Sequence, residues 1–294
     1  MTLFLSSTAY IFRITATEFM IPISDFLHQM CLSTIPSQLI HQESAQALIC
    51  AKNFTTSNES FFWAASGLIH LFVVSGTHLN IISKIFEKLK LPIKFTFLGL
   101  FLYVLICKMN PPILRSFIFL CLQYRAKKNI LYWPTEFVLL MSGLLCLLLN
   151  YKLATSVSLQ MSWLAALFLQ FKSESNDVLA SVRQQAIFYL GFLFIYFQFG
   201  FPAGPVVIFS VILTPVLELF LFPLSLMVIL FNFLSPLFDF TINLLLQITQ
   251  NFELNRVILP TSEIQLVPLN WMFIAAFHIY FYFKHTSVKG SYAV

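Results

Sequence analysis

The residues that could do chemistry are concentrated between Ser66 and Ser83, inside an otherwise apolar run. On one straight helix at 100° per residue, Ser66, His70, Thr77 and Asn80 fall within about 80° of arc. Polar groups placed in lipid are costly, so they face protein or water. This stripe therefore either lines a hydrated path or makes hydrogen bonds between helices. Ser75 and His78 lie off it, three residues apart on a shared face. A serine and a histidine so placed could act as nucleophile and base, although no oxyanion donor or third orienting group accompanies them. Gly76 offers a helix break that would free backbone groups to line a cavity. Without such a break His70 and His78 are about 12 Å apart and do not share a metal.

A second feature is Arg115, four residues after Pro111 in an apolar segment. A charge there needs pairing or hydration. Asp239 or Glu136 could form a structural salt bridge with it, and an anionic substrate is the functional alternative. Thr155, Ser158 and Ser162 make an i, i+3, i+7 stripe, with Ser156 and Gln160 on a neighbouring face. These five suit helix packing.

The elements that must position these residues follow from composition. The chain has 294 residues, 59% hydrophobic and only 10% charged. Soluble domains carry about a quarter charged residues, so the solvent of this chain is mostly lipid. A transmembrane helix needs about 20 apolar residues. Candidate spans are 61–83, 94–110, 111–124, 133–149, 153–171, 185–200, 206–222, 224–250 and 267–283. The expected fold is an all-α polytopic membrane protein of about nine or ten transmembrane or partly re-entrant helices. Asn110-Pro111-Pro112 fits a helix start, which makes 94–124 a helical hairpin that crosses only in part. Span 224–250, with Asn232, Pro236, Asp239 and Asn243, reads as two pieces or one broken helix.

Residues 1–35 form an N-terminal anchor or surface-helix region, 36–283 the membrane domain and 284–294 a tail. Residues 36–50 resemble a surface amphipathic helix. Basic residues occupy alternate loops (Lys84 to Lys94, Arg125 to Lys128, Lys172 with Arg183, then Lys284 and Lys289). The positive-inside rule then puts 24–60 outside and the C-terminus in the cytoplasm. The net charge of +5 has the same origin and does not by itself indicate a DNA partner. Cys31, Cys50, Cys107, Cys121 and Cys146 show no CxxC or Cys/His ligand spacing, so neither a metal site nor a disulfide framework is expected. No P-loop is present. No cofactor is expected.

Residues 62–83 read FWAASGLIHLFVVSGTHLNIIS. The core G-L-x-H-L-x-x-V-S-G-x-H resembles the signature of the ComEC competence protein family, in its membrane-embedded competence domain. Gly67, His70, Leu71, Ser75, Gly76 and His78 occupy matching positions. Pro111-Pro112-Ile113-Leu114-Arg115 resembles the family's proline-to-arginine helix start. Leu159-Gln160-Met161-Ser162-Trp163-Leu164 resembles its F-Q-L-S-F-L helix, and Pro215 and Pro223 keep the spacing of a later helix pair. The resemblance runs from about residue 36 to about 250. Asn80 and Thr77 depart from it, as do Ala51-Lys52 and Ser210. Longer members carry an OB-like and a metallo-β-lactamase-like domain, of which no HxHxDH motif is seen here.

The resemblance implies a channel component that takes single-stranded DNA across the bacterial cytoplasmic membrane in natural transformation, and not an enzyme. His70, Ser75, Gly76, Thr77, His78, Asn80, Arg115, Gln160 and Ser162 would line or shape the path. The partners it implies are the strand, membrane lipid, a cytoplasmic ATPase or helicase and a separate nuclease, with room for a homo-oligomer. Two other classes stay open: a membrane-embedded serine hydrolase on Ser75 and His78, and a small-anion transporter.

Overall fold

The computed structural model describes residues 20–54, 59, 63, 76–128, 133–171, 205–252 and 267–290. Among these the chain is all-helical, without strands. Ten α-helices follow one another: α1 (20–34), α2 (Gln42–Cys50), α3 (Gly76–Lys88), α4 (Ile93–Ile106), α5 (Pro111–Lys128), α6 (Thr135–Leu149), α7 (Val157–Phe168), α8 (Pro205–Leu230), α9 (Ser235–Phe252) and α10 (Val267–Gly290). The 185–200 span lies outside the described residues.

The α4–α5 hairpin is present, and α5 opens on Pro111 and Pro112 as its sequence demands. A proline at the first helical position gives up no intrahelical hydrogen bond. The turn between them carries Lys108 and Met109 at φ of 52° and 50°. Further on, the span boundary expected near Pro223 is corrected. Helix α8 continues through Pro215 and Pro223 to Leu230. The break falls instead at Phe231 (φ −133°, ψ 89°), followed by the 3-10 turn Asn232–Leu234. Pro236 then sits in the first turn of α9, where its ring meets no preceding helical carbonyl.

Two hydrophobic clusters form the core. One joins α2, α3, α4, α8 and α9 through residues such as Leu48, Leu79, Leu100, Phe222 and Phe238. The other joins α6, α7 and α10 through Leu139, Trp163, Leu167, Ile274 and Phe281. Helix α5 runs along the seam, with Ile113 in the first cluster and Phe119 against the second. Packing at the seam and inside the second cluster is close. A methyl group on Gly76 would collide with the Ser116 hydroxyl of α5, and one on Gly143 of α6 would collide with the Trp163 ring of α7.

Two expectations fail at the N-terminal end. Helix α2 is not a surface helix: Ser44, Ala45, Ala47, Leu48, Ile49 and Cys50 are all buried. Cys31 and Cys50 form a disulfide, with Cα atoms 6.0 Å apart, that ties α1 to α2. Chain folding brings these two thiols together; nothing in their local spacing announces it.

Among the described residues no helix is long and apolar enough to cross a membrane. Four helices nevertheless present exposed apolar stripes: Phe95, Leu98 and Leu102 on α4; Phe137, Leu144 and Leu148 on α6; Leu237, Phe240 and Leu244 on α9; Met272, Ile279 and Phe283 on α10. Each stripe spans about 60° of arc or less at helical spacing. Contiguous apolar surface of this kind marks contact with lipid or protein.

Candidate functional site

The α5 seam holds the group with the strongest claim to function. Asn110 accepts from the backbone N–H groups of Ile113 and Leu114 at 3.1 and 3.0 Å, and one turn later Arg115 points into the protein, 5% exposed. Its Nε and Nη2 donate to Ser162 Oγ of α7 at 3.1 and 3.0 Å. A guanidinium carries five N–H donors. Among the described residues the other three have no acceptor, and no carboxylate lies within ion-pair distance. Of the two alternatives the sequence leaves open, the salt bridge with Asp239 or Glu136 is therefore not made. Asp239 is occupied elsewhere.

The family resemblance assigns Gln160 and Ser162 to one path, while their spacing puts them on different faces, and the structure sends them to different neighbours. Two residues along a helix are about 200° apart, so the two side chains leave α7 in different directions. Ser162 meets Arg115. Gln160 is fully buried against α10: its Nε2 donates to Ala154 O at 3.1 Å, and its Oε1 accepts from Asn270 Nδ2 at 2.8 Å. Trp271 Nε1 also donates to Ala154 O, at 2.8 Å, and Trp163 Nε1 donates to His278 Nε2 at 2.9 Å. Asn270 Oδ1 in that bolt is buried without a hydrogen-bond partner among the described residues. Sequence reasoning missed Asn270 and His278. Two polar residues inside the apolar 267–283 run were the available signal.

On α3 His78 lies apart from Thr77 and Asn80. His78 is fully buried and its ring stacks on Phe222 of α8, with centroids 4.1 Å apart and planes 18° from parallel. Asn80 is exposed and Thr77 half-buried on the other side. Gly76 faces Ser116, the neighbour of Arg115. Ser66, His70 and Ser75 lie outside the described residues.

A second charged cluster, also missed, lies at the start of α2. The Asp239 carboxylate of α9 accepts from the backbone N–H groups of Ile40 and His41 at 3.2 and 3.1 Å. It supplies the N-terminal cap that the His41 side chain does not provide, with negative charge at the positive end of the helix dipole. His41 Nδ1 donates to Glu59 Oε1 at 2.8 Å, Ser44 Oγ donates to Glu59 Oε2 at 2.6 Å, and Trp63 Nε1 donates to Ser44 Oγ at 3.3 Å. Burial would lower the His41 pKa, but hydrogen bonds to Glu59 and Asn243 and the attraction of the Glu59 and Asp239 charges raise it above the ordinary histidine value. Among the described residues no group of three His, Cys, Asp or Glu side chains could hold a metal ion.

The arrangement thus offers a buried cation that has no anion among the described residues, set at the junction of two packed cores. Planar guanidinium groups are suited to phosphate oxygens, which they bind through paired N–H donors. No curated protein and no solved structure matches the chain. The competence protein family model does, over residues 51–286. That match begins after α2 and reaches into α10, so it starts later and ends later than the stretch from about 36 to about 250 that the sequence motifs suggested. It takes in the Gly67–His78 signature, Arg115, Ser162 and the Gln160–Asn270 bolt, and on this extent the chain belongs to the competence protein family.

Proposed function

We propose that this competence protein, whose family assigns it to DNA uptake, is the membrane-embedded component through which single-stranded DNA crosses the cytoplasmic membrane in natural transformation. The observation that carries the proposal is Arg115: buried, held by Ser162 alone among the described residues, and without a carboxylate. A buried charge is costly unless it is paired. A passing phosphodiester would supply the missing anion, and the three remaining N–H donors would bind it.

The exposed apolar stripes of α4, α6, α9 and α10 support the lipid setting. At 1.5 Å per residue, α4 and α5 are about 21 and 27 Å long, against a hydrocarbon core of about 30 Å. This fits a hairpin that crosses only in part. The Cys31–Cys50 disulfide supports an external position for that end of the chain, because disulfides persist in oxidising compartments. The lysines after α3 and at the end of α5 support the opposite side as cytoplasmic. A path of this kind needs outside energy, which a cytoplasmic ATPase or helicase would provide. A separate nuclease would supply the single strand.

The test is transformation frequency in strains carrying Arg115→Ala or His70→Ala, with the membrane level of the protein measured alongside. Uptake is expected to drop at least tenfold for Arg115→Ala at unchanged protein level, the factor that corresponds to about 1.4 kcal/mol. Normal uptake in both strains would overturn the site assignment.

A further inference from the structure

Helices α3, α4 and α5 run up, down and up, so the C-termini of α3 and α5 and the N-terminus of α4 share one end of the molecule. Contacts confirm this. The Phe86 ring of α3 lies against Gly99 of α4, and the Phe97 ring of α4 lies 5.3 Å from the Tyr124 ring of α5. That end is strongly basic. Lys84, Lys88, Lys90 and Lys94 are exposed, as are Arg125, Lys127 and Lys128 at the close of α5, with Glu87 the one acidic residue on these segments.

The charges do not stand alone. From 88 to 95 the chain reads Lys-Leu-Lys-Leu-Pro-Ile-Lys-Phe. The apolar members are exposed as well: Leu89 is 65% exposed, Leu91 40%, Ile93 43% and Phe95 62%. Phe95 also opens the exposed α4 stripe that continues through Leu98 and Leu102. A surface for a nucleic-acid backbone would not expose four large apolar side chains between its cations. A bilayer interface accepts both, since apolar groups enter the acyl boundary and lysines reach the headgroup phosphates.

We propose that the turn from Lys84 to Phe95, together with the basic end of α5, is a seat for the phosphate headgroups of anionic lipids. The proposal rests on the lipid setting argued above. The seat fixes the depth of the α4–α5 hairpin at the cytoplasmic leaflet. Each lysine engaged at an acidic lipid surface is worth about a fivefold factor in association.

The experiment uses the full chain reconstituted into vesicles with spin-labelled phosphatidylglycerol or phosphatidylcholine, and reads the fraction of each label held by the protein. Wild type is expected to prefer phosphatidylglycerol severalfold. The preference should fall toward parity in Lys88→Gln/Lys90→Gln/Lys94→Gln and persist in Lys152→Gln, a change at an exposed lysine remote from this end. Parity in wild type, or a preference unchanged by the triple substitution, overturns the proposal. So does an oligothymidylate that displaces the lipid from wild type and fails to bind the triple variant, because the surface would then belong to the strand. A chain that inserts into neither kind of vesicle overturns the lipid setting itself. Insertion without preference removes the seat alone.

Discussion

Two charged sites lie buried in this protein and are built in opposite ways. At the start of α2, His41 is enclosed by Glu59 and Asp239, and each carboxylate has donors aimed at it. At the α5 seam, Arg115 has a serine hydroxyl and, among the described residues, no carboxylate. The first site is closed. Its carboxylates balance the His41 charge and fasten α2, whose N-terminus is otherwise uncapped by its own side chain, although His41 Nε2 has no hydrogen-bond partner among the described residues. The second is open, with a fixed positive charge and donors left for an anion from elsewhere. The difference separates charge used for holding the fold from charge kept for binding.

If that contrast is sound, stability and function respond differently at the two sites. The largest loss of stability is expected from Asp239→Ala, which leaves the backbone N–H groups of Ile40 and His41 without their acceptor and removes one of the two carboxylate charges beside His41. Breaking a buried charge network from one side costs about 3–5 kcal/mol, read as a lowered unfolding midpoint of the purified protein in detergent. Cys31→Ser comes next. Opening a loop of sequence separation 19 costs about 3 kcal/mol, and thiol titration should show two more free thiols after reduction of the wild type. Gly143→Val drives a side chain into the Trp163 ring. Overpacking of this kind costs about 1–3 kcal/mol and should leave the α2 end untouched.

The closed site also predicts a pH dependence. The folded-state pKa of His41 is raised, so its protonated form is the stabilising one. That contribution is full below the unfolded value of about 6.5 and is lost as pH rises through the folded value. The fall in stability across that window should flatten in His41→Gln. The smallest change in stability is expected at the open site. Arg115→Ala removes a buried charge with no carboxylate to orphan, leaving only the Ser162 hydroxyl without its donors, so the midpoint should move least among these substitutions while DNA uptake collapses. A large loss of stability in Arg115→Ala would erase the contrast.

Much of the architecture could be read from local chemistry. Pro111 and Pro112 mark the start of α5 because a proline is tolerated in the first turn and not in mid-helix. The hairpin before it follows. Composition marks the helices that show apolar faces to their surroundings. Pro223 misled for the same kind of reason: a packed helix can carry a proline through its interior when neighbouring elements hold it. What could not be read depends on contacts between distant residues. The Cys31–Cys50 pair, the Asp239 cap on α2 and the Gly143–Trp163 contact join residues with no local pattern between them. Arg115 was visible as an isolated charge, but its tie to Ser162 spans 47 residues. Gln160 and Ser162, neighbours in sequence, were separated by the helical rotation that sends one to α10 and the other to α5.

That separation allows the most direct test of the central claim, that the strand passes Arg115 at the α5 seam. A photo-crosslinking residue is placed at Ser162 in one strain and at Gln160 in another, and labelled DNA is added to transforming cells. The incoming strand should crosslink at position 162 and not at 160. Crosslinking at 160 without 162 would put the path on the α10 side of α7 and contradict the account.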